Sequence, residues 1–187
     1  TVNTDASQAY ADVQAMAVFQ KFDPEGFRTA ITLEYQVLPG VIGESLTTTA
    51  YNALEEKNYV IWTAIELQGS TDASRTINSR TMSSFGEFWD DVINLDVLKN
   101  RMQVNGYNYI ANAGTKRPYT PRGYAGLLSN IEDTFKAFYD NGVLGRAEYV
   151  DPRTGDDVEA KYGFALFSAP EDVFGASMAE KRNRNYP

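Results

Sequence analysis

The stretch Thr120–Gly142, TPRGYAGLLSNIEDTFKAFYDNG, carries the clearest local signal in the chain. Thr120 offers a capping hydroxyl, Pro121 a pre-set φ in the first turn, and Gly142 a left-handed stop. Between them Tyr124, Leu127, Leu128, Ile131, Phe135, Phe138 and Tyr139 recur at helical spacing, which predicts an amphipathic helix. Upstream, Gly86 precedes Phe88, Trp89, Val92, Leu95, Leu98 and Met102 at the same spacing. That second helix is expected to run through Tyr107 and Ile110, with Gly106 as a candidate break, and to end at a loop over Gly114–Tyr119.

Other segments repeat every two residues. From Arg28 to Leu38, Ile31, Leu33, Tyr35 and Val37 alternate with Thr32, Glu34 and Gln36, which predicts a half-buried strand ended by Pro39-Gly40. Tyr59–Leu67 (YVIWTAIEL) is apolar on both faces and reads as a more central strand. After a polar turn over Gly69–Ser74, Arg75–Ser83 reads as a weak edge strand. Val158 to Leu166 alternates again after a turn at Asp151–Asp156. Three further helices are expected. The first is capped by Thr4 or Asp5 and carries Tyr10, Val13, Met16 and Ala17 on one face. The second follows Ser45–Thr49 to about Lys57. The third starts at Pro170 and ends in Lys181, Arg182 and Arg184. The class is α+β, a small mixed or antiparallel sheet packed with several amphipathic helices. Residues 1–187 are read as a single domain whose strand edges invite a neighbour's strand.

Composition narrows the function. With 187 residues, 43% of them hydrophobic, the chain can bury a core without covalent staples. There is no cysteine and no histidine, so Ser–His–Asp, Cys–His, iron–sulfur and Cys/His-based zinc chemistry cannot be written with this alphabet. The net charge of −8 argues against a nucleic-acid partner. No apolar run approaches a membrane span, and no signal-peptide pattern opens the chain.

The acidic pairs Asp90-Asp91, Glu55-Glu56 and Asp156-Asp157 are adjacent in sequence, so their side chains diverge and do not make a catalytic dyad. DPRTGDD at Asp151–Asp157 lacks the alternating ligands and closing Glu of a calcium loop and reads as a turn. No glycine-rich phosphate loop occurs. Lys116-Arg117 and Lys181–Arg184 are short basic patches suited to pairing with carboxylates, in this chain or in a neighbour. Hence no catalytic, cofactor-binding or metal residue is assigned, and assembly with other protein chains is the expected role.

Several segments together resemble the contractile tail sheath protein of bacteriophages with myovirus-type tails. In LEYQVLPGVIGESLTTTAYNALEEKNYVIW (Leu33–Trp62) the similarity rests on Leu38, Gly40, Val41, Leu46, Thr47, Leu54, Lys57, Asn58 and Tyr59. In FGEFWDDVINLDVLKNRMQ (Phe85–Gln103) it rests on Gly86, Asp90, Asp96, Leu98 and Lys99, and TKRPYTPRGYAGLLSNIEDTFKAFYDNGVL (Thr115–Leu144) is similar to the entry to the following helix. The resemblance implies a structural subunit, not an enzyme, with no cofactor. It would be a core-domain fragment of a longer polypeptide whose terminal arms exchange strands between neighbours, and alone it would stay monomeric at micromolar concentration. Implied partners are copies of itself, the tail tube protein, and baseplate and terminator proteins, with no nucleic acid or membrane. The implied place is the virion tail, assembled in the host cytoplasm. The rival readings are another tail, baseplate or injection-system structural protein, and a carbohydrate-binding module or carboxylate glycosidase using Asp90, Asp91 or Trp62.

Overall fold

The computed structural model describes residues 10–67, 70–71 and 74–183. Its regular elements, in chain order, are α1 (Ala11–Val18), α2 (Thr48–Glu55), β1 (Ile61–Thr63), β2 (Glu66–Leu67), β3 (Ser70–Thr71), β4 (Arg75–Ile77), α3 (Trp89–Ala111), α4 (Pro121–Asp140), β5 (Ala147–Val150), β6 (Asp157–Ala160) and α5 (Met178–Asn183). Helices and short antiparallel ladders, β1 with β4, β2 with β3 and β5 with β6, confirm the α+β class. The chain forms two compact units, residues 10–23 with 29–95, and 24–28 with 96–183.

In the first unit Ala15, Val18, Leu33, Leu38 and Trp62 form the core, with Phe19, Ile31, Val41 and Val60 against it. α1 turns its small residues inward. Ala11, Ala15 and Val18 are buried while Tyr10, Val13 and Met16 are exposed, the reverse of the face expected from the larger side chains. The Thr4 or Asp5 cap lies outside the described residues.

The expected strand over Arg28–Leu38 does not form. Arg28 and Tyr35 adopt φ of 54° and 59°, a left-handed geometry that no ladder tolerates. This segment instead crosses β4 and is held by it. Tyr35 N donates to Thr76 O at 2.8 Å, and Thr76 N donates to Gln36 O at 3.0 Å. The Thr76 hydroxyl, 1% exposed, donates to Leu33 O and accepts from Gln36 N. The Glu34 carboxylate accepts from Asn78 N at 3.0 Å and Ser79 N at 2.8 Å, and Asn78 is itself left-handed. Side chains thus satisfy the backbone groups that a strand would have paired. Glu44 bridges the other edge of β1, where Thr63 Oγ1 donates to Glu44 O at 2.7 Å. Both outer edges of this ladder are therefore occupied by segments of the chain itself, contrary to the expectation of open edges.

The long apolar run Tyr59–Leu67 is divided between β1 and β2, and of the expected Arg75–Ser83 strand only Arg75–Ile77 forms a ladder, with Arg80 in an isolated antiparallel bridge to Phe88. Gly69, Asp72 and Ala73 of the expected turn lie outside the described residues. α2 follows expectation, its first turn capped by the Thr47 hydroxyl accepting from Ala50 N.

The second unit is built on α3 and α4. α3 runs unbroken through Gly106. α4 starts as expected, with Thr120 Oγ1 accepting from Gly123 N. It ends where Gly142 N bonds Tyr139 O and Val143 N bonds Phe138 O, the paired closure that a glycine at φ 88° permits. Phe138 on the inner face of α4 and its C-cap residue Asn141 are fully buried. Phe135 stacks on Phe164 at 4.6 Å, and Tyr139 meets Tyr162 edge-on at 5.3 Å. Those partners belong to the expected Val158–Leu166 strand, which stops at Ala160 because a turn over residues 161–163 redirects the chain onto α4. The expected helix from Pro170 is two pieces, a 3₁₀ helix Pro170–Gly175 and α5, with Arg184 outside the described residues.

Replacing Thr76 by Val removes the hydroxyl while keeping the shape, leaving Leu33 O and Gln36 N without their partner. A loss of about 1–3 kcal/mol in urea unfolding is expected, with Thr76→Ser close to wild type.

Candidate interaction surface

α3, α4 and the loop between them place Lys116 and Arg117. The Tyr109 ring leans from α3 onto α4, where its hydroxyl lies 3.5 Å from Gly123 O. A Cβ at Gly126 would sit 2.1 Å from that hydroxyl, so only glycine admits the approach. On the ring rests Arg117, its guanidinium 4.0 Å from the centroid and its Nε–H donating to Tyr109 O at 3.3 Å. Arg117 is thereby fixed at the rim of a 730 Å³ cleft whose lining includes Ile110, Ala113, Lys116, Tyr119 and Lys181. The two basic patches singled out in the sequence thus meet at one place, through Lys116-Arg117 and Lys181. Beside them α3 exposes Ile110 at 54% and, a turn before, Tyr107 at 70%.

A second charged surface lies on the hairpin β5–β6, whose first strand the sequence reading missed. The signal was faint: AEYV alternates only over its first three residues before the turn DPRTGD. Register pairs Glu148 with Glu159 and Val150 with Asp157. These four share one face and all are exposed, Val150 at 59%. The other face is packed, with Tyr149 edge-on to Phe167 at 5.6 Å and Ala160 buried. Two glutamates directly opposite on an antiparallel pair repel, and no ion pair relieves either among the described residues.

The acidic pairs read from the sequence are not brought together as dyads. Glu55 closes α2 and Glu56 caps it, both exposed. Asp151 Oδ1 accepts from Arg153 N at 2.8 Å and so closes the hairpin turn. Asp90 and Asp91 lie in the first turn of α3, where the helix dipole favours their charge. Asp90 is nevertheless pushed above its ordinary value. Burial is the main cause, with Asp91 and Glu34 adding to it, against a backbone bond and the Thr32 hydroxyl that pull it down. Trp62 is a core residue, 9% exposed, and offers no open ring face for stacking a sugar.

Among the described residues no helix is long and apolar enough to cross a membrane. Residues 89–156 match the family model described as E217 tail sheath protein gp31-like, C-terminal domain. The match spans α3, the cleft loop, α4 and the first part of the hairpin through its turn. It bears out the resemblance to phage tail sheath proteins and supports a structural role in the virion tail. A comparison with curated proteins gives no significant match.

Two outcomes test this geometry. Gly126→Ala forces the Tyr109 hydroxyl aside and is expected to cost about 1–3 kcal/mol in chemical unfolding, with Tyr109→Phe in the same chain recovering part of it. For Asp90 the folded value exceeds the unfolded one, so the folded state binds more protons between the two and stability falls as pH rises through that window. Asp90→Asn is therefore expected to melt higher than wild type at neutral pH. The gap should close as the pH drops below about 3.9, the ordinary aspartate value.

Proposed function

We propose that this chain is a structural subunit of a contractile phage tail sheath, polymerising around the tail tube and shortening to drive DNA delivery. The observation that carries the reading is the family match over 89–156. It includes α3, the loop that carries Lys116 and Arg117, α4, and β5 with the exposed Glu148. The absence of His and Cys is consistent with a role in which contacts, not bond chemistry, do the work.

The mechanism in this reading is mechanical. Copies of the chain hold one another in an extended array, and the array shortens when subunits move as rigid bodies to a second set of contacts of lower energy. Further partners are the tail tube protein and the baseplate and terminator proteins that bound the array. The place of action is the virion tail, after assembly in the host cytoplasm. Each subunit contact has to be weak enough to exchange, and exposed ion pairs worth about 0–1 kcal/mol apiece meet that condition.

The test is electron microscopy of the intact gene product expressed with its tail tube protein. Long striated cylinders of two lengths and diameters are expected. A product that remains monomeric beside assembled tube would overturn the reading.

A further inference from the structure

The two charged surfaces of the second unit are complementary in chemistry as well as in sign. The cleft offers Lys116, Arg117 and Lys181 beside exposed Ile110, and the hairpin face offers Glu148, Asp157 and Glu159 beside exposed Val150. Arg117 is held by Tyr109, and the three carboxylates stand on a paired ladder, so one cation and the hairpin backbone are already placed before contact. No ion pair engages Lys116, Lys181, Glu148, Asp157 or Glu159 among the described residues, and no hairpin residue lines the cleft. The repulsion between Glu148 and Glu159 is a standing local cost that a cationic neighbour would remove.

We infer that the acidic face of the β5–β6 hairpin of one copy docks in the Lys116–Arg117–Lys181 cleft of a second copy. That the partner is a second copy rests on the sheath reading; the charge and shape of the two surfaces do not. Because donor and acceptor surfaces differ, the contact is head-to-tail. Every copy therefore keeps one free hairpin and one free cleft, and the contact propagates into a ring or helical array instead of closing as a two-fold dimer. Val150 and Ile110 supply an apolar contact, and the charges beside it govern encounter rate and salt dependence more than residence.

The natural absence of cysteine gives a clean test, because any introduced pair is the sole pair of thiols. Lys116→Cys with Glu159→Cys in one chain is oxidised at high protein concentration and low salt, with Lys116→Cys and Glu55→Cys as the off-surface control. All three positions are exposed, and a circular dichroism melt confirms that each variant folds. A ladder of covalent dimers, trimers and higher oligomers is expected, absent from the control. It should be lost when Arg117→Glu and Lys181→Glu are added, and regained when Glu148→Lys and Asp157→Lys accompany them. A ladder no stronger than the control overturns the proposal, as does a purely internal disulfide, which would place the hairpin in the cleft of its own chain. The sheath reading fails separately. Striated cylinders that form despite the Arg117 and Lys181 reversals sink this contact and leave the sheath intact, whereas a charge-dependent ladder without cylinders keeps the contact and sinks the sheath.

Discussion

The close approach of the Tyr109 side chain, reaching from α3, to the α4 backbone at Gly126 is the constraint on which the cleft rim depends. Because Gly126 has no Cβ, the Tyr109 hydroxyl can reach the α4 backbone near Gly123. The ring then lies flat enough to carry a guanidinium, and Arg117 is drawn over it by both a hydrogen bond and the ring's negative face. A steric permission at one residue thus fixes a cation on another at the cleft rim. The same pair of helices is held further along by Asn105 Nδ2 donating to Thr134 Oγ1 at 2.9 Å, with Thr134 donating onward to Asn130 O. Arg101 binds Glu25 at 2.7 Å beside it. A polar seam of this kind specifies register, where apolar contacts alone would let one helix slide along the other.

How much of this was legible follows from which forces are local. α4 was readable because its cap, its periodicity and its glycine stop all act within one segment and agree. The segment Arg28–Leu38 misled because its alternation is real in composition and absent in burial. Leu33 and Leu38 are buried while Tyr35 and Val37 are exposed, a spacing set by the left-handed turn at Tyr35. That turn is held by Thr76 and Glu34 bonds reaching across about forty residues, and no periodicity encodes such partners. For α1, size was the wrong guide. The inner side of that helix meets Trp62 and Leu33 closely enough that alanines fit there and tyrosine and methionine do not.

The interaction surface was legible only in pieces. Lys116-Arg117 and Lys181 were visible as short basic patches, and their convergence depends on where the chain after the 3₁₀ helix returns to the end of α3. The acidic face was hidden for a simpler reason. β5 is four residues long and half charged or small, below the length at which alternation separates from chance. Its register with β6 is what converts scattered glutamates into a surface.

An assembly that must hold and then rearrange constrains its contacts from both sides. A wide apolar interface would lock, since burying a few large side chains already stabilises by several kcal/mol. Purely ionic contacts at an exposed rim would dissolve in salt. A small apolar contact with charges beside it falls between these limits, and the cleft with Ile110 and the hairpin with Val150 each have that composition. The net charge of −8 adds a further condition. Like-charged copies repel at long range, so approach is favoured where a basic surface such as the proposed cleft faces an acidic one. Orientation would then be chosen by charge before apolar contact forms, which is what an ordered array needs from a sticky, repeating part.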